Sequence, residues 1–369
     1  MRHRSPRATD TTWIYNLEST ASLLLALGSV VAALVARHVL PAGPVLDFWT
    51  HCLLPMQLPV FYFGYGYLYQ RQWLVDSGRS WLVSMGRELV YMLVPLAAVT
   101  VPTLLIDGWT GAGPGLSPAA LVRALLVDPV VPVGFFLVAL ALYAVVPTLR
   151  SRRQTVLAVS VAAALKVAMV VAQSLPGGAA TVAHLPYVVA NVCADGIWFC
   201  AGMALAAAEG DGRALTALGR PGTLWAAWTV AAVALLWASH AGLVAVPVAE
   251  ALLTAGGLWA GTALYGYLFP AGGRQWGPFS AVDGYTKGIW LMHPMFLAVW
   301  FHLTGPAPLP APLLVTGSLA VAYGLPVAVN MAMDRLWRLG FLVNPNRYLG
   351  LPARDGGPHT TAGGPGGTA

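Results

Sequence analysis

The chain has 369 residues, of which 57% are hydrophobic and only 9% charged, with a formal net charge of +6 and a mean hydropathy of +0.68. A soluble domain carries roughly 25% charged residues, so a chain this poor in polar groups cannot cover a water-facing surface without very large apolar patches. A soluble fold is therefore excluded, and the expected solvent is lipid.

The first ten residues are polar and basic, and the apolar run behind them, Ile14 to Ala36, is too long for the core of a signal peptide and has no small-residue cleavage site close behind it. It is expected to remain as the first helix. A span needs about 20 mostly apolar residues, and ten runs qualify: 14–36, 48–69, 88–106, 130–149, 155–174, 185–207, 222–239, 245–268, 284–302 and 312–333. In the long connection 107–129, Ser117 and Pro118 form a helix start, a capping hydroxyl followed by proline at the first helical position. They predict a short interfacial helix over Ala119 to Val127. The tail 351–369, rich in Gly, Pro and Thr, is expected to be disordered. The reading is thus an all-α integral membrane domain over 1–350 followed by that tail, with no repeat and no separate soluble domain.

Orientation follows from charge, because cytoplasmic loops collect Lys and Arg. With the N-terminus inside, seventeen of the twenty basic residues fall on the cytoplasmic side, among them Arg71, Arg87, Arg150, Arg152, Arg153, Arg220 and Lys287. Arg37 and Arg123 fall outside and Lys166 within a helix. Both termini are then cytoplasmic. Arg outnumbers Lys eighteen to two, a bias that points to a bacterial gene of high GC content and so to the inner membrane. Cys52, Cys193 and Cys200 form no CxxC pair or metal-ligand spacing and read as small apolar packers. No phosphate-cradling or zinc motif stands in a credible context, no metal or bound cofactor is expected, and nothing beyond topology supports nucleic-acid binding.

Ionisable groups at membrane depth are candidates for function. Lys166 lies about 18 Å from the inner end of the fifth helix and Asp195 about 15 Å from the outer end of the antiparallel sixth, at 1.5 Å per residue. Their depths agree, which predicts an ion pair: a clamp between helices, or one wall of a substrate cavity with Asn191 a turn away from Asp195. His293 lies in the ninth helix just before Pro294. Proline has no N–H to donate, so a carbonyl one turn earlier is left free. A kinked helix carrying a histidine is a candidate cavity wall, and a histidine satisfied by a neighbour is the plainer alternative. His38, His51, His184, His240 and His302 all fall near the outer face, as interfacial residues or as a cluster for metal or acid–base work. Phe61, Tyr62, Tyr65 and Tyr69 form a stripe on the second helix, with Gln57 one turn before Phe61 as a possible hydroxyl partner. Glu250 reads as interfacial.

Several segments, in order, resemble the membrane acyltransferase 3 family of O-acyltransferases. Trp13-Ile-Tyr-Asn-Leu-Glu18 leading into Leu23-Leu-Leu-Ala-Leu-Gly28 is similar to its first helix, and Met56 to Tyr67 to its "MPLFFFISGYL" segment. Arg87 to Pro95, Phe135 to Pro147, Leu185 to Met203 and Tyr285 to Pro294 resemble later helices. The resemblance implies transfer of an acyl group from acyl-CoA, as co-substrate, to a hydroxyl of a sugar or specialised metabolite. It implies an Arg and, eleven residues later, a His on one face of the first helix. Here Glu18 stands at the Arg position and Ser29 at the His position, while His38, twenty residues beyond Glu18, falls on the far face. His293, Asp195, Lys166 and His38 are therefore the candidate catalytic residues, and Tyr62, Tyr65, Asn191, Glu18 and Ser29 the candidate substrate-binding ones. Two other readings stand beside this one: a membrane enzyme doing different acid–base chemistry on a lipophilic substrate, and a non-enzymatic exporter or partner subunit. An exporter is expected to show interrupted helices in two related halves, and no such symmetry is visible.

Overall fold

The computed structural model describes residues 11–72, 77–130, 133–208, 218–270, 284–305, 309–336, 339–343 and 345. The tail 351–369, and the basic residues Arg2, Arg4, Arg7, Arg213, Arg274, Arg338, Arg347 and Arg354, lie outside them. The described chain is helical throughout, with no strand among the described residues. Each of the ten apolar runs overlaps a helix. Six helices are long and apolar enough to cross a membrane: Thr12–Ala36, Gly78–Thr110, Arg152–Ser174, Tyr187–Ala208, Pro221–His240 and Ala311–Arg335. This is a multi-pass membrane protein.

In chain order, α1 is Thr12–Ala36 and α2 is Pro44–Phe48, which runs through a π-helical turn, Trp49–Leu53, and a 3₁₀ turn, Leu54–Met56, into α3, Gln57–Gln72. α4 is Gly78–Thr110, α5 Pro118–Leu126, α6 Gly134–Val145, α7 Arg152–Ser174, α8 Gly178–Ala183 and α9 Tyr187–Ala208. α10 is Pro221–His240, α11 Val246–Leu268 and α12 Thr286–Thr304. The last crossing is α13, Ala311–Leu319, a π-helical turn, Ala320–Gly324, and α14, Leu325–Arg335.

Local chemistry sets several boundaries. The expected interfacial helix is α5, opened by the Ser117 hydroxyl accepting from the Ala120 N–H at 3.1 Å. α4 starts ten residues before its apolar run. Ser77 and Ser80 form a reciprocal cap there, each side chain accepting from the other's backbone N–H, and Gly111 ends the helix in the left-handed conformation. α6 stops at Val145 because Pro147 follows, and the residue before a proline is pushed to the extended conformation Val146 adopts. Gln70 then ties α3 to the chain beyond α6, its amide donating to the Leu149 carbonyl at 2.7 Å and accepting from the Leu149 N–H at 2.8 Å.

α1 is the central post, packed against α3, α11, α12 and α13. α3 lies along α9, which in turn carries α6 and α7. The α3–α9 contact is close because glycines face backbone: a Cβ on Gly66 would strike the Phe199 carbonyl, and one on Gly202 the Phe63 carbonyl and the Tyr67 nitrogen. Small residues let helices approach in this way where lipid supplies no hydrophobic drive between them. At the periphery, α7 buries only Ala162 and Met169, and α10 only Trp228 and Ala232. Their outward faces carry Val156, Leu157, Val161, Val230 and Trp237, apolar surface suited to lipid.

His38 lies just beyond the end of α1 and outside the cavity lining. It is exposed, with φ +58°, and its N–H donates to the Val35 carbonyl at 2.9 Å while the Val39 N–H donates to Leu34 at 2.9 Å. These are the two bonds of a Schellman cap, whose left-handed position favours glycine. His38→Gly is expected to raise stability by roughly 0.5–1 kcal/mol, the relief of left-handed strain less the added freedom of the unfolded chain. A thermal midpoint in detergent equal to or below that of the parent would contradict this account of His38.

Candidate functional site

The central feature is a contact between α1 and α12. His293, 1% exposed, points its Nε2 at the Ser29 Oγ, 3.0 Å away. Its Nδ1 lies 3.0 Å from the Ile289 carbonyl oxygen and 2.9 Å from that of Trp290. Carbonyl oxygens only accept, so Nδ1 carries a proton, and when the ring is neutral its lone pair is at Nε2, facing Ser29. Pro294 explains why the Trp290 carbonyl is available. In an α-helix that carbonyl would accept the N–H of residue 294, and proline has none. The proline one residue beyond the histidine thus releases the group that holds its tautomer. The Ser29 proton has two acceptors in reach, His293 and the Leu25 carbonyl at 3.1 Å.

Pro294→Ala restores the missing donor, which competes for the Trp290 carbonyl. The expected result is a thermal midpoint unchanged or raised, with any His293-dependent turnover lowered several-fold, up to about tenfold, the worth of one orienting hydrogen bond. Unchanged turnover would show that the carbonyl does not position the ring.

One turn from His293, Trp290 forms part of the wall of an open cavity of about 660 Å³, mouth included, that Glu18, Ser22, Tyr65, Tyr91 and Lys287 also line. Glu18, Ser22 and Ser29 occupy one face of α1, since four and eleven residues are close to whole turns. That face is turned toward the cavity at Glu18 and Ser22 and toward His293 at Ser29. Gly64 makes room for the carboxylate, because a Cβ there would meet Glu18 Oε1. The Lys287 ammonium sits 3.8 Å from the centroid of the Tyr91 ring and 5.8 Å from that of Phe136, a cation held against ring faces. The aromatic wall is continuous: Trp290 packs on Phe61 at 5.1 Å, on Phe135 at 5.5 Å and on Phe136 at 5.4 Å between centroids.

The structure therefore joins Ser29 to His293 and, further along α1, places Glu18 and Tyr65 in the wall of a cavity that neither Ser29 nor His293 lines. Tyr62 is buried one turn away against Phe135, 4.6 Å between centroids, and does not line the cavity. Gln57 does not partner the tyrosines: its amide donates to the Leu53 carbonyl of its own helical run at 2.7 Å. The Lys166–Asp195 ion pair does not form. α7 and α9 do pack together, but Trp198, one turn from Asp195, donates its indole N–H to Asp195 Oδ1 at 3.2 Å, and the Lys166 Nζ stands 5.7 Å from the centroid of that ring. Trp198 thus contacts both groups, and Lys166 acts on Asp195 electrostatically without a direct ion pair. Asn191 bonds the Tyr187 carbonyl of its own helix at 2.8 Å.

The outer histidines have separate surroundings. His51 is 3.3 Å from Glu250, both about two-fifths exposed. His240 bonds Leu236 of its own helix at 3.0 Å, and His302 stacks on Trp109 at 4.6 Å. Among the described residues no three His, Cys, Asp or Glu side chains are placed to share a metal ion. Two groups escaped the sequence reading. Lys287 was absorbed into the cytoplasmic charge count, although it shares the segment that carries His293. Glu88, 4% exposed on α4, acts electrostatically on Tyr69; its signal was an acid at the head of an apolar run. No family model matches the chain, and no curated protein or solved structure resembles it significantly.

Proposed function

We propose that this chain is a membrane acyltransferase that moves an acyl group from acyl-CoA to a hydroxyl of a sugar or specialised metabolite, with His293 as its base. The observation that carries the reading is the buried imidazole whose tautomer is fixed by two carbonyls and whose lone pair is aimed at a hydroxyl. Acyl transfer to an alcohol needs such a base to take the hydroxyl proton. The resemblance to acyltransferase 3 proteins places a histidine at the position of Ser29; here α12 brings an imidazole to that same point.

In this reading the chain crosses the inner membrane of a bacterium ten times, with both ends in the cytoplasm. Thr286 and Lys287, which line the cavity at the start of α12, then lie at the end of that helix nearest the compartment that supplies acyl-CoA. Lys287, its Nζ buried against the Tyr91 ring, adds positive charge to the field that the phosphates of CoA would meet, and Phe61, Tyr65 and Trp290 offer an apolar surface for the acyl chain. Glu18, in place of a cation, adds a carboxylate to the cavity lining, suited to a hydroxyl-rich acceptor.

The test is release of free CoA thiol from acyl-CoA by the purified protein in proteoliposomes, with sugar and lipid-linked sugar acceptors added in turn. Acceptor-dependent release supports the reading. Absence of release with every acceptor, together with absence of acyl-CoA binding, would favour a non-enzymatic partner subunit on the same helices.

A further inference from the structure

We infer that Ser29 is itself acylated during the reaction, so that transfer proceeds through an acyl-serine formed inside the membrane; this rests on the acyltransferase reading above. The Ser29 Oγ lies 3.0 Å from His293 Nε2, its proton shared with the Leu25 carbonyl at 3.1 Å, and the other ring nitrogen is fixed by the Ile289 and Trp290 carbonyls. This is the arrangement of an activated nucleophile: hydroxyl, base within hydrogen-bond reach, and a third group orienting the base. Backbone carbonyls take the place that a carboxylate holds in the familiar triads. Ser29 is half-buried where His293 is sealed, so the serine rather than the histidine retains accessible surface.

Depth gives the step a purpose. Ser29 lies eleven residues beyond Glu18, about 16 Å further along α1, in a hydrocarbon core of about 30 Å. A donor entering at the Lys287 end and an acceptor on the opposite side are separated by that distance, and an ester on Ser29 hands the acyl group from one to the other.

The balance is simple. Ser29 Oγ attacks the thioester carbonyl while His293 Nε2 takes the hydroxyl proton. The C–S bond breaks, and the CoA thiolate leaves with that proton as free thiol. The acceptor hydroxyl then attacks the serine ester, His293 takes its proton, and the proton returns to Ser29 as the product ester departs. No oxidant, metal or further reactant is needed.

The experiment is intact-mass analysis of the full-length protein in detergent after incubation with octanoyl-CoA and no acceptor, with released thiol measured in parallel. The set is the parent, Ser29→Ala, Ser29→Cys and His293→Gln, each checked for an unchanged elution profile and thermal midpoint. The expected result is one octanoyl adduct on the peptide containing Ser29, lost in Ser29→Ala and in His293→Gln. In Ser29→Cys it becomes a thioester that neutral hydroxylamine removes. A parent that releases thiol in the presence of acceptor but carries no adduct, with Ser29→Ala releasing it equally fast, would overturn the covalent step and leave the acyltransferase standing. A parent that neither binds octanoyl-CoA nor releases thiol would overturn both.

Discussion

Replacing His293 with glutamine is expected to lower acyl-CoA turnover by roughly 10²–10⁴-fold, the usual contribution of a positioned base, with little change in the amount of folded protein. Glutamine is close in size and keeps a polar end beside Ser29, the Ile289 carbonyl and the Trp290 carbonyl, so the buried position is not left with an unpaired group. What it lacks is a lone pair basic enough to take a hydroxyl proton. A structural histidine would behave differently: the thermal midpoint would fall and residual turnover per folded molecule would stay near the parent value. Turnover within a few-fold of the parent, in protein of parent stability, would remove His293 from the chemistry.

The second large effect belongs to the fold. Gly202→Val is expected to prevent or severely weaken assembly of α9 on α3. The added side chain would begin inside the space of the Phe63 carbonyl and the Tyr67 nitrogen, and backbone, unlike a flexible side chain, cannot turn aside. Overpacking typically costs about 1–3 kcal/mol and more where nothing yields. Separating the two helices also opens the contact of the fully buried Phe199 with Tyr69, 5.9 Å between centroids. Yield of monodisperse protein and thermal midpoint report the loss. Gly86→Ala is the control: nothing lies within 4 Å of its Cβ position, and alanine in a helix is favoured over glycine by about 0.5–1 kcal/mol. A Gly202→Val protein as stable as the Gly86→Ala protein would mean that the helices pack differently.

These two effects rest on different kinds of legibility. Helix positions were readable because apolar length is a local property, and the Ser117–Pro118 start and the carbonyl freed by Pro294 were readable because capping and proline chemistry act within one turn. The Ser29–His293 contact was not, because its partners are 264 residues apart and a sequence gives each helix its faces without saying which helices are neighbours. Matching depths suggest a Lys166–Asp195 pair, but depth fixes only one coordinate; Trp198, three residues from Asp195, takes the carboxylate's hydrogen bond instead. Lys287 was hidden by a sufficient explanation at another level, since topology already accounted for a cytoplasmic cation. The two π-helical turns lay beyond reach, being set by tertiary contacts with α1: the Gly28 position faces Leu54 just after the first, and Tyr323 within the second donates its hydroxyl to the Leu23 carbonyl at 2.6 Å.

The account turns on whether the cavity between α1 and α12 receives acyl-CoA. Calorimetric titration of the purified protein in detergent with acetyl-CoA, octanoyl-CoA, palmitoyl-CoA and free CoA measures this without knowledge of the acceptor. The account predicts saturable binding of at least one acyl-CoA, tighter than free CoA and weakened by Lys287→Gln. No binding of any of the four would contradict it.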